Sequence, residues 1–317
     1  MKKLAISMGD LNGIGLEIAL RAHEEINKKC KPIYCIDPRM LSWGAALLNL
    51  EVSSTMSCIP CGKLFEISPG NISKAAGKAS YASFLCALDL VKSGECEALV
   101  TLPIHKKAWE KAGVKYIGHT DALEEILGEK ALMMIGCEDL YVGLFTHHIP
   151  LKDVSKKIKV KKLVEFLLKF YGALGKKPIG VLGLNPHAGD GGVIGKEEVK
   201  ISKAILKANT LLKEEVFKGP LVPDAAFTPR FREQYKYLIA MYHDQGLAPL
   251  KALFFEESIN VSLGLSIIRT SVDHGTAFDI AYKDRSPSLK SYFQAIDLAL
   301  DFANLSDKIS AKKSSVK

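Results

Sequence analysis

No apolar run in this 317-residue chain approaches the roughly 20 residues that a membrane-spanning helix needs, which leaves no basis for a membrane role. The amino-terminal apolar stretch already stops at Asp10, too early for the core of a secretion signal, so a cytoplasmic protein beginning with a strand is expected. Arginine is scarce, standing only at 21, 39, 230, 232, 269 and 285, and the formal charge of +8 is therefore mainly lysine, much of it in short surface runs. Such a balance favours anionic ligands such as phosphorylated metabolites and dinucleotides. With no zinc-finger spacing and no aromatic RNA-binding motif beside it, nucleic acid is not an expected partner. Seven scattered cysteines, an odd number, do not make a disulfide framework, and Cys58-x-x-Cys61 lacks the second pair that a structural zinc site needs. Both Gly-x-Gly-x-x-Gly and the Gly-Lys-Ser/Thr ending of a nucleotide P-loop are missing, so neither a Rossmann nor an ATPase reading is supported. Internal repeats and low-complexity linkers are absent as well.

What is present is an α/β pattern long enough for two α/β lobes sharing a cleft. The stretch Tyr237 to Lys251 organises it: an apolar run, Tyr237 to Tyr242, reads as a buried strand and stops at His243-Asp244-Gln245-Gly246. Open α/β sheets bind ligands at such strand ends. Taken in order, the chain predicts a strand over 4–8, a glycine-rich turn over 9–15 and a helix over 16–26. That turn suits either phosphate binding or a simple tight bend. Further strands are expected over 31–37, 98–102, 179–184 and 262–268, and a hairpin over 131–135 and 140–146. Helices are expected over 74–93, 122–127, 154–174, 196–215 and 289–305, while 51–71 is turn-rich and 306–317 is polar and expected to fray. Thr120 or Asp121 can cap the helix at 122, whose free N–H groups would let His119 and Thr120 hold an anionic group.

Three histidines, His148, His187 and His243, each follow a predicted buried strand. Imidazole is a common transition-metal ligand, and three with an open position form a catalytic arrangement. Their separations of 39 and 56 residues match no compact motif, and each alone also fits a hydrogen-bonded turn. Asp224 and Asp244 are the nearest candidates for a proton acceptor or for carboxylates supporting those histidines.

Across nearly its whole length the sequence resembles the 4-hydroxythreonine-4-phosphate dehydrogenases of vitamin B6 biosynthesis. The resemblance is carried by Gly9 to Glu17, Pro103 to Lys106, Gly118-His119-Thr120, His148-Ile149-Pro150-Leu151, Gly183 to Gly189, Met241 to Gly246 and Ile268 to Thr276, in family order. It implies the isocitrate and isopropylmalate dehydrogenase type of fold, with residues 1–130 plus 245–317 in one lobe and 131–244 in the second, which also forms the contact of a homodimer. It further implies that His148 and His187 bind a divalent cation (Zn, Mg, Co or Mn), with His243 supplied across the dimer. Substrate contacts are implied from His119, Thr120, Lys251, Asn260 and Arg269, with Lys251, Asp224 and Asp244 as the catalytic candidates. The loop His274, Gly275, Thr276, Ala277, Phe278 and Asp279 resembles the one holding the adenosine part of NAD or NADP in such dehydrogenases.

The activity so implied is NAD(P)-linked oxidation of 4-phosphooxy-L-threonine with decarboxylation to 3-amino-2-oxopropyl phosphate. Departures from the family pattern are Leu11, Asn12 and Leu16 where Pro, Ala and Pro are usual, Tyr282 where Gly is common, and His147 beside the preferred ligand His148. Other readings are a dehydrogenase of another phosphorylated hydroxy acid such as 4-phosphoerythronate or 4-phosphothreonate, a silent metabolite-binding protein on the same fold, and, less well matched, a metal-dependent hydrolase.

Overall fold

The computed structural model describes residues 1–314, with side-chain surroundings through 307. In chain order the elements are β1 (Lys3–Ser7), α1 (Gly15–Lys29), β2 (Lys31–Cys35), α2 (Pro38–Leu47), β3 (Ser57–Ile59), α3 (Lys74–Lys92), β4 (Ala98–Thr101), α4 (Lys106–Ala112) and α5 (His119–Leu127). The hairpin β5 (Leu132–Cys137) and β6 (Leu140–Leu144) follows, then α6 (Val154–Lys157), α7 (Val160–Leu174), β7 (Ile179–Leu182), α8 (Glu197–Leu212) and β8 (Phe217–Leu221). Last come α9 (Pro229–Gln234), β9 (Tyr237–Ala240), α10 (His243–Phe254), β10 (Ile259–Leu263), β11 (Ile268–Val272) and α11 (Lys290–Ser314).

By their internal contacts these elements form two units, Met1–Glu129 with Leu265–Lys317, and Lys130–Gly264. The expected first lobe included 245–264. That segment packs instead in the second unit, where α10 lies on β5, β6 and β9, and β10 pairs antiparallel with β5.

In the first unit five strands run parallel in the order β3-β2-β1-β4-β11. Strands buried on both faces read as continuous apolar runs, and Ala98-Leu99-Val100 and Leu4-Ala5-Ile6 do so. Trp109 of α4 and Phe84 of α3 centre one core cluster, and the Trp109 indole N–H donates to Ser80 Oγ at 2.8 Å, so its one polar atom is satisfied inside. Ser73 caps α3 by accepting from Ala76 N at 3.0 Å.

The second unit orders its strands β10-β5-β6-β9-β7-β8, with the hairpin pair and β10 antiparallel and the remainder parallel. Leu140, Val142, Leu182, Leu238, Leu247 and Leu250 form its core.

Several expectations are corrected. The helix expected over 154–174 breaks into α6 and α7, with Ile158 extended between them. The single strand expected over 262–268 is two, β10 and β11, separated at Gly264, whose φ of +74° turns the chain. Neither Thr120 nor Asp121 caps α5: Gly118 occupies that position without a side chain to offer, and the Asp121 carboxylate accepts from Ile117 N at 3.1 Å. The polar turn after Tyr242 opens a twelve-residue helix, α10. The final helix runs on to Ser314, and residues 315–317 of the tail expected to fray lie outside the described residues.

Asp10, just after β1, has no exposed surface. Its Oδ1 accepts from Asn12 N at 3.0 Å, while Oδ2 has no partner among the described residues. Burial raises its carboxyl to about 6, against a smaller lowering by the Asn12 N–H. A carboxyl raised in the fold contributes stability below about pH 4 that is lost as the pH rises through about 6, a loss on the order of 3 kcal/mol when complete. Asp10→Asn is therefore expected to raise the melting temperature at pH 8 and to leave it nearly unchanged at pH 4. Equal destabilisation at both values in a thermal scan would contradict the cost assigned to this buried charge.

Candidate functional site

In the first unit two of the five implied substrate residues, His119 and Arg269, come together beside the parallel sheet. Arg269 on β11 is 4% exposed, and its Nη2 donates to Thr101 Oγ1, the last residue of β4, at 2.8 Å. The same nitrogen lies 3.4 Å from His119 Nδ1. A guanidinium can only donate, so Nδ1 is the accepting nitrogen and the ring proton of neutral His119 sits on Nε2. That Nε2 is buried and has no partner among the described residues. Burial first, and the Arg269 charge second, hold the imidazole well below its ordinary pKa, so it stays neutral at physiological pH. Phe84 and the edge-on Trp109 wall the ring, at centroid distances of 5.1 and 5.3 Å. The result is a buried cation beside a neutral N–H donor, a setting suited to a phosphate or carboxylate. Thr120 follows His119 in the first turn of α5.

The implied cofactor loop, 274–279, is anchored to the glycine turn. Ile14 N donates to Thr276 O at 3.1 Å, and a Cβ on Gly13 would stand 2.7 Å from that same oxygen. Gly9, at φ +66°, faces the Pro103 carbonyl so closely that a Cβ would lie 2.1 Å from its oxygen. Here the glycines permit close approach of loops. Tyr282, at the position where glycine is common, holds φ +58° and donates from its hydroxyl to Leu11 O at 2.7 Å. Phe278 stacks on His105 with centroids 4.9 Å apart. Asp279 lies exposed at the end of this loop.

In the second unit β6 and β9 run parallel and end side by side, with Thr146 Oγ1 donating to Met241 O at 2.6 Å. Their exits bring His148 and His243 together, ring centroids 5.9 Å apart, while His147 stands edge-on to His148. His243 opens α10, and its Nδ1 lies 2.7 Å from Asp244 Oδ1. A carboxylate accepts, so Nδ1 carries the proton and Nε2 is left as a lone-pair donor, the state in which imidazole binds metal. His187 and Asp224 instead line a depression of about 310 Å³ with Asn185, Pro223, Tyr242 and Gln245. Among the described residues no three His, Cys, Asp or Glu side chains converge as a metal site, so one chain does not gather the expected trio. Lys251 lies farther along α10 with its ammonium 5.6 Å from the centre of the Phe255 ring, and Asn260 is on β10.

The supports of His187 were missed in the sequence. From His187 to Gly192 six consecutive residues take positive φ, which His187, Ala188 and Asp190 adopt at a cost. The buried Glu198 carboxylate holds the preceding bend by accepting from Leu184 N (2.9 Å), Asn185 N (2.7 Å) and Asn185 Nδ2 (3.0 Å). Against burial, which raises it, the Asn185 N–H groups keep that carboxyl low. Neighbouring Glu197 falls to about 2 through Ser155 and Asn185. Gln245 accepts from Met241 N at 2.7 Å and donates to Gly183 O at 2.6 Å, tying the exits of β7 and β9 together. The Glu197-Glu198 pair at a helix start was the available signal.

Comparison with known proteins gives the family of the chain. The family model for the pyridoxal phosphate biosynthetic protein PdxA matches residues 28–299. A 4-hydroxythreonine-4-phosphate dehydrogenase of Sulfurimonas denitrificans is 55% identical over 298 residues, 94% of this chain and 97% of that protein. One from Campylobacter fetus is 54% identical, covering 95% and 98%. The crystal structure of a 4-hydroxythreonine-4-phosphate dehydrogenase from Burkholderia phymatum superposes with a TM-score of 0.79 at 33% identity, covering 95% of this chain and 98% of that one. The chain belongs to the PdxA family of pyridoxal phosphate biosynthetic proteins. Within it, the chain is an enzyme of the dehydrogenase class.

Glu198→Gln keeps one oxygen for Leu184 N and Asn185 N but sets its amide N–H against the Asn185 Nδ2 donor and removes a charge-assisted acceptor. A loss of about 1–3 kcal/mol in urea unfolding is expected. An unchanged urea midpoint would show that the carboxylate does not hold the bend.

Proposed function

We propose that the chain oxidises the C3 hydroxyl of 4-phosphooxy-L-threonine with NAD or NADP, and that the resulting β-keto acid loses carbon dioxide to give 3-amino-2-oxopropyl phosphate. The observation carrying this reading is the buried Arg269 and His119 pair. Arg269 supplies a fixed positive charge and His119 an Nε2–H donor, which together suit the phosphate or carboxylate of a small anionic substrate. Thr101 orients the guanidinium. Lys251 and Asn260 supply a further charge and an amide to the substrate. The loop 274–279, fixed by the Ile14 and Tyr282 hydrogen bonds, seats the adenosine part of the cofactor.

His148, His187 and His243 hold a divalent cation in this proposal, with the set completed between two copies of the chain in a homodimer. The adjacency of His148 and His243 and the Nδ1 proton on His243 fit such a role. When bound, the cation supplies Lewis acidity to the substrate hydroxyl and later to the ketone, and the nicotinamide supplies the hydride acceptor. Asp244 keeps His243 in its ligating tautomer, and Asp224, exposed beside His187, is the proton acceptor we assign.

Reduced nicotinamide absorbance should rise with purified protein, 4-phosphooxy-L-threonine, NAD or NADP and a divalent metal, and should stop on adding a chelator. Turnover of 4-phosphoerythronate or 4-phosphothreonate in its place would move the substrate while keeping the chemistry. No turnover of any of these would refute the reading. Arg269→Ala should raise KM for the phosphorylated substrate at least tenfold, and an unchanged KM would remove Arg269 from the substrate site. Co-expressed His187→Ala and His243→Ala chains, each inactive alone, should regain about a quarter of wild-type activity, because mixed dimers then carry one intact shared site. No recovery in isolated mixed dimers would mean that both ligands come from one chain.

A further inference from the structure

A turn between β3 and α3, which no part of the reaction above uses, packs against the loop 274–279. It comprises Ser68, Pro69, Gly70 and Asn71, and is closed by Asn71 N donating to Ser68 O at 3.1 Å and Asn71 Nδ2 donating to Ser68 Oγ at 3.0 Å. Its place is set by Asn12 of the glycine turn, which has no exposed surface. Asn12 Oδ1 accepts from Ser68 N at 2.9 Å, Asn12 Nδ2 donates to Asn71 O at 2.7 Å, and the Asn12 carbonyl accepts from Gly70 N at 2.9 Å. One buried residue thus satisfies three backbone groups of the turn. A side-chain amide can accept at one end of the turn and donate at the other, whereas the alanine usual at this position in the resembled family can do neither.

Held in this way, Gly70 stands directly against the loop. Its φ is +72°, and a Cβ on it would lie 3.0 Å from Phe278 O. The Phe278 ring is stacked on His105, so any shift of this residue disturbs that stack. Two residues earlier, Thr276 O accepts from Ile14 N. The glycine turn therefore grips the loop twice, directly at Thr276 and through the 68–71 turn at Phe278.

We propose that Asn12 is a positioning residue for the dinucleotide, acting through the 68–71 turn that it holds against Phe278. The proposal rests on the reading of 274–279 as the seat of the adenosine part of the cofactor. A loop fixed before its ligand arrives loses less freedom on binding, so releasing it weakens the ligand without altering any group at the reacting atoms. The substrate pair is independent of this hold: Arg269 is oriented by Thr101, and His119 is walled by Phe84 and Trp109.

The test titrates full-length Asn12→Ala with NADH and NADPH and follows amide hydrogen exchange of the 274–279 segment. The Kd and KM for the dinucleotide should rise about three- to tenfold, the loss expected for one or two hydrogen bonds. With saturating dinucleotide, kcat and the KM for the phosphorylated substrate should stay within about twofold of wild type. Exchange over 274–279 should quicken while that of β4 is unchanged. Gly70→Ala, which crowds the Phe278 carbonyl and leaves Asn12 intact, should raise the same Kd, and it carries the test if Asn12→Ala does not fold. Unchanged dinucleotide affinity in the folded variants, with 274–279 of the wild type protected by NADH or NADPH, would overturn the role of Asn12 and leave the cofactor seat standing. A fall in kcat, or equal rises in both KM values, would overturn it as well, by showing a general structural role. A wild type whose 274–279 amides gain no protection from either dinucleotide would remove the cofactor seat, and this proposal with it.

Discussion

Everything on the first unit's functional edge depends on three parallel strands ending at the same side of one sheet. β1, β4 and β11 are hydrogen-bonded neighbours in register, so their exit loops leave together. Asp10 N reaches Pro103 O at 2.8 Å and Ile14 N reaches Thr276 O at 3.1 Å, joining the three exits through their backbones. Backbones approach this closely only where side chains are absent, which is what Gly9 and Gly13 provide. On the same strands, Thr101 ends β4 and Arg269 lies in β11, and their hydrogen bond aims a guanidinium that burial has stripped of water.

The second unit solves a different problem. Its histidines sit on strand exits of poor local conformation: His148 and His187 both have φ near +50°. Such backbone persists only when neighbouring groups over-determine it. Glu198 and Gln245 do so by collecting the backbone N–H and C=O groups left unpaired where β7 and β9 end. Removing those groups would relax the bend without touching a histidine, so Glu198 and Gln245 govern where the His187 imidazole stands.

The packing of β2, β3 and α3 supports the glycine turn from behind. Ser83 of α3 makes the link, since it donates to the Cys35 carbonyl and accepts from the Met8 N–H that leads into Gly9.

The sequence by itself determined the α/β pattern, because the strands β1, β4, β7 and β9 are buried apolar runs and α3 and α8 carry an amphipathic period. It also marked His119, His148, His187, His243 and Arg269, since polar residues after apolar runs stand out. It did not reveal α10, whose Gly246 and Pro249 argue against a helix on local propensity and whose fold comes from packing of Leu247 and Leu250 on the sheet. Nor did it separate β10 from β11, because the break at Gly264 lies in an unbroken stretch of apolar and small residues. Only the tertiary structure decided that His119 accepts from Arg269 and that His148 faces His243. Each of these pairs joins positions far apart in the chain, and strand order, which no local pattern encodes, brings them together.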